Sequence, residues 1–71
     1  MTIRKFIEAC LNDFNKIIIH EITATGTCGY DPEEDVELIG EYEKLNDIPA
    51  NIQEKIIEYF YIGENEIVID F

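Results

Sequence analysis

Apolar residues recur along this chain with more than one rhythm, and each rhythm predicts a different element. The first set is Ile3, Phe6, Ile7, Cys10, Leu11 and Phe14, the i, i+3, i+4 spacing that turns one helix face toward a core. Thr2 stands at the N-cap of that helix, and Asn12, Asp13 and Asn15 favour a stop near residue 14. Short polar side chains compete there for the backbone's own hydrogen bonds. Lys16 to Ala24 reads as a strand, because the β-branched run Ile17-Ile18-Ile19 with Ile22 and Thr23 suits a pleated, largely buried surface. Thr25 to Pro32 has turn composition and no period, which predicts a loop. From Val36 to Glu43 the chain alternates. Val36, Leu38, Gly40 and Tyr42 fall on one side; Glu37, Ile39, Glu41 and Glu43 fall on the other. This predicts a half-buried antiparallel strand with an acidic outer face.

Asp47-Ile48-Pro49 marks a second helix start, since proline fits a first turn where its missing donor is not needed. Two patterns overlap beyond it. Ile48, Ile52, Ile56 and Phe60 keep a period near four, which would carry one helix to Phe60. Ile57, Tyr59 and Tyr61 instead alternate with Glu58, Phe60 and Ile62, and Gly63-Glu64-Asn65 has the composition of a hairpin turn. The second pattern is favoured: a short helical turn near 49–54, then a strand over 56–62 paired with 66–71. Ile67, Ile69 and Phe71 lie on the buried face of that last strand. The whole predicts an α+β fold over a single domain, residues 1–71, with the N-terminal helix packed on a four-stranded, mainly antiparallel sheet and a short second helix. A chain this short buries only about 60% of its unfolded surface, so homodimer formation would add useful burial.

The layout T-I-x-x-F-I (Thr2 to Ile7), K-I-I-I (Lys16 to Ile19), Gly40, D-I-P (Asp47 to Pro49), Lys55 and E-N-x-I-V-I through Asn65 to Ile69 resembles small proteins encoded by bacterial phages and mobile elements. Some small acidic members of that group are anti-CRISPR or anti-restriction inhibitors. The resemblance covers most of the chain at fold-determining positions. It implies a phage or mobile-element setting and assigns no site residue.

Charge separates the possible functions better than any motif. Residues 1–30 carry Glu8, Asp13 and Glu21 against Arg4, Lys5 and Lys16 and sum to zero. Residues 31–71 carry thirteen acids against Lys44 and Lys55, which accounts for the whole net charge of -11. Such a one-signed field attracts basic partners. With 46% apolar residues and many Ile, Phe and Tyr, the chain is too hydrophobic to read as acidic disorder. No apolar run suits a signal peptide or approaches the roughly 20 residues of a membrane span. The expected setting is the cytoplasm of the bacterial host, without a membrane partner.

Catalytic and metal chemistry find little support. The chain has no serine and one histidine, His20, set in an Ile-rich strand and expected to be structural; nucleophilic catalysis needs a nucleophile beside a base. T-G-T-C-G-Y lacks the G-K-[ST] end of a phosphate-binding loop. Cys10, His20 and Cys28 have no metal-ligand spacing. Asp31, Glu33 and Asp35 occupy positions one, three and five of a calcium-type loop, but Val36 and Tyr42 stand where Gly and Glu are required. The expectation is therefore a protein that is not an enzyme, with no metal and no cofactor.

The acids themselves are the candidate site. Alternate strand residues lie about 6.8 Å apart, so Glu37, Glu41 and Glu43 would form a regular row, comparable to successive phosphates of a nucleic-acid strand. Asp31, Glu33, Glu34 and Asp35 would extend it, with Tyr30 as an exposed aromatic anchor; Tyr42 and Tyr59 are expected in the core. A face of this kind could occupy the basic groove of a nucleic-acid-binding protein such as a CRISPR effector or other nuclease, without binding nucleic acid directly. The plainer reading is solubility, because acidic edges keep small proteins dispersed. The rival is an assembly protein whose helix-free sheet face, near Ile39 and Val68, pairs with a second copy.

Overall fold

The computed structural model describes residues 1–10, 15–23 and 34–71. Helix α1 spans Ile3–Ala9 and strand β1 Lys16–Ile22; β2 runs Val36–Tyr42, and a 3-10 turn covers Leu45–Asp47. Helix α2 is Ala50–Gln53, and β3 (Tyr59–Gly63) and β4 (Glu66–Asp70) close the order. The element order and the α+β class are those the sequence predicts. The sheet itself is mixed. Its strand order is β2-β1-β4-β3, with β1–β2 and β3–β4 antiparallel and the central pair β1–β4 parallel.

Helix α1 begins as its sequence directs, with the Thr2 hydroxyl accepting from the Lys5 N–H at 3.2 Å. It ends earlier than the periodicity suggests. Cys10 has extended dihedrals (φ -71°, ψ 130°), so the helix stops at Ala9; Leu11 and Phe14 lie outside the described residues. The ambiguous stretch resolves in favour of the strand. Helix α2 is a single turn, joined to the preceding 3-10 turn by Gln53 Nε2, which donates to Leu45 O and Ile48 O. Glu58 N–H then donates to Asp70 O as β3 approaches β4.

The core lies between the helices and one sheet face. Its buried cluster among the described residues is Ile3, Ile17, Ile19, Ile48, Ile52, Ile67 and Ile69, isoleucine throughout. The sheet supplies Ile17, Ile19, Ile67 and Ile69, and β-branched side chains are stiff enough to fill such a layer at little further entropic cost. Phe71 is half-buried against the same cluster. Two expectations fail at the aromatic positions and on β2. Tyr59 is exposed rather than core, standing on an edge strand beside Tyr61 with ring centroids 6.3 Å apart. Ile39 packs against the core rather than pointing out with the glutamates.

Candidate functional site

A bulge governs where the acids of β2 point. Ile17, Ile18 and Ile19 face Tyr42, Glu41 and Gly40, but His20, Glu21 and Ile22 face Leu38, Glu37 and Val36. Ile39 is the extra residue, and an extra residue inverts the alternation on either side of it. Val36 and Leu38 consequently share the helix-free face with Glu41, and Glu37 shares the opposite face with Gly40 and Tyr42. The single row Glu37–Glu41–Glu43 does not form.

The structure makes two acidic groups instead. At one end, Glu41 and Glu43 border a small cleft with Asn15, Lys16 and Tyr42, and Lys16 Nζ sits 3.3 Å from Glu41 Oε1. This group is partly neutralised. At the other end, Glu37 lies directly across from Glu21 of β1, and Glu34 and Asp35 adjoin them as the chain enters β2. Thr23 N–H donates to Asp35 O at 2.8 Å, which fastens that approach to the end of β1. Glu21, Glu34 and Glu37 are exposed, and among the described residues none of them is ion-paired. Cross-strand neighbours sit about 5 Å apart at Cβ, where like charges are destabilising. Tyr30, Asp31 and Glu33 lie outside the described residues.

Glu21 joins this cluster although the sequence reading leaves it in the neutral part of the chain. Only the β1–β2 register brings it to Glu37, and a signal for it exists in the antiparallel pairing of β1 and β2, which are consecutive in the chain.

His20 has a definite partner. Its Nδ1 lies 3.1 Å from Asp70 Oδ1, a distance at which the ring N–H donates to the carboxylate. The Asp70 side chain is fully buried and that of His20 is 19% exposed. The pair spans β1 and β4 in direct register on the helix-free face. A carboxylate orienting an imidazole resembles part of a catalytic array, but the thiol of Cys10 belongs to the other side, packed against the helix-face core. Burial pushes that thiol's pKa up, which weakens it as a nucleophile at neutral pH. Among the described residues no group of three or more His, Cys, Asp or Glu could hold a metal ion, and no helix is long and apolar enough to cross a membrane.

Of the face suggested for self-pairing, Ile39 is turned to the core and Val68 is buried between its neighbours. Exposed apolar side chains nonetheless flank it on the same face, Leu38 of β2 and Tyr59 and Tyr61 of β3, while Phe60 and Ile62 of β3 are exposed on the helix side. Compared with known proteins, the chain matches no family model, no curated protein and no solved structure.

Proposed function

We propose that this chain is a non-enzymatic inhibitor. Its acidic edge would occupy the basic, nucleic-acid-binding groove of a bacterial defence protein such as a CRISPR effector or another nuclease. The observation that carries the reading is Glu21 set against Glu37 across an antiparallel pair, with Glu34 and Asp35 alongside. Opposed like charges cost folding free energy, and the cations that form ion pairs are engaged elsewhere, Arg4 with Glu8 and Glu54 and Lys16 with Glu41. Lysines and arginines that normally hold phosphates would relieve that repulsion and bind the cluster in place of a nucleic acid.

A second reading has its own support. β2 is an edge strand, and charge on an edge blocks unwanted strand pairing. Charge reversal separates the two. The variant Glu21→Lys/Glu34→Lys/Glu37→Lys keeps the edge charged, so protection against aggregation should survive. Inhibition of DNA cleavage by a susceptible RNA-guided nuclease should fall at least tenfold, and inhibition by the parent chain should weaken as salt rises from about 50 to 300 mM. Asp35 is spared because it is half-buried and fastened to Thr23. Undiminished inhibition by the triple variant would rule out electrostatic blockade.

A further inference from the structure

We propose that the outer edge of β3 is a strand-addition site for an extended, apolar peptide segment flanked by lysine or arginine. This site is separate from the acidic cluster on β2 and stands or falls independently of it.

The edge already takes a strand partner at one end. The N–H of Glu58 donates inward to Asp70 O, and the N–H of the preceding Ile57 donates to Met1 O at 3.0 Å. Ile3 N–H donates to Lys55 O, and Thr2 bridges Ile56 antiparallel. The N-terminus thus pairs with residues 55–57 on the side away from β4, then leaves as α1. Beyond that point Tyr59–Gly63 forms, among the described residues, the outermost strand of the sheet. It has no charged residue, and Phe60 and Ile62 are 43% and 52% exposed. An uncharged, apolar edge is what proteins ordinarily avoid, and here it contrasts with the other edge strand, β2, which carries Glu37 and Glu41.

A groove runs beside it. The Phe6 ring of α1 packs against that of Phe60 at a tilt of 52°, with ring centroids 4.5 Å apart. Around them a cavity of about 490 Å³ is lined by Met1, Phe6, Ala9, Cys10, Ile57, Glu58 and Phe60. A strand added to β3 would send alternate side chains into this apolar groove between edge and helix. Backbone hydrogen bonds would then supply affinity and the groove selectivity.

Charge selects the occupant. Glu58 and Glu64 bracket the strand, both exposed, and Glu58 stands at the groove itself. A second copy aligned antiparallel about Tyr61 would set Glu58 against Glu64 at both ends, between two chains that each carry -11. A basic-flanked segment meets the same two carboxylates favourably.

The test uses two labelled peptides of alternating valine and threonine, one with lysine pairs at both ends and one with glutamate pairs. Binding to the full chain is read by fluorescence anisotropy and amide chemical shifts. The lysine peptide should bind at least tenfold more tightly than the glutamate peptide and shift the amides of Tyr59–Gly63. Ala9→Trp, which fills the groove from an exposed helix position, should weaken it at least tenfold. Glu58→Lys/Glu64→Lys should reverse the preference. Equal binding of both peptides, no shift along β3, or no effect of Ala9→Trp would overturn the proposal. Concentration-dependent dimerisation of the free chain through β3 would overturn it in favour of a second copy.

Discussion

Asn65 is the one non-glycine among the described residues with a positive φ, 58°. It sits in the two-residue connection between β3 and β4 and its carbonyl accepts from Asn15 N–H at 2.8 Å. Asparagine tolerates the left-handed region better than other side chains, whereas a β-branched residue there is strained by about 1–2 kcal/mol. Asn65→Gly should leave stability within a few tenths of a kcal/mol, and Asn65→Val should lower it by about 1–2 kcal/mol, measured by urea unfolding. Parent-like stability of the valine variant would show that the turn does not constrain this residue. Gly63-Glu64-Asn65 announces the turn in the sequence because turn chemistry is local. The His20–Asp70 pair is not announced, since its members are 50 residues apart and only the fold makes them neighbours.

At the level of elements, the bulge on β2 decides which face each acid occupies. Residues 36–43 alternate in sequence except at Ile39, which stands apolar among the glutamates, yet a bulge is a property of two paired strands, and the pattern of one does not place it. Next to the extra residue stands Gly40. The Tyr42 ring covers it so closely that an added Cβ would lie 2.5 Å from Tyr42 Oη and 2.7 Å from Cζ. Gly40→Val should therefore displace Tyr42 from the core and cost about 1–3 kcal/mol. Adding Tyr42→Leu should make the double variant less damaged than the two losses summed, by about 0.5–3 kcal/mol. Strict additivity in denaturation would show that the two side chains do not compete for space. The strands were readable from their apolar period, the short second helix from its Asp47-Ile48-Pro49 start against a period that argued for a longer one, and α1 at its own start. The end of α1 and the parallel β1–β4 pairing were not, because apolar period says which residues are buried and not which strand lies alongside.

Across the whole molecule, surplus negative charge should make stability depend on ionic strength. The sequence displays the surplus; the tertiary register sets Glu21 directly against Glu37. Screening that repulsion should raise the melting temperature between about 20 and 200 mM sodium chloride, at about 4–8 °C per kcal/mol for a domain of this size. Three reversals to lysine add six charges and take the net from -11 to -5, so the triple variant should show a smaller rise. An equal rise would place the repulsion elsewhere on the surface. The central position of β4 has a further consequence, for the order of events on the ribosome. Helix α1 and strands β1 and β2 are synthesised first, but β1 must wait for Glu66–Asp70 to emerge before its second neighbour exists. Until then half of the sheet's isoleucine layer is missing, so the nascent chain should stay open to chaperones and proteases until its last strand is out.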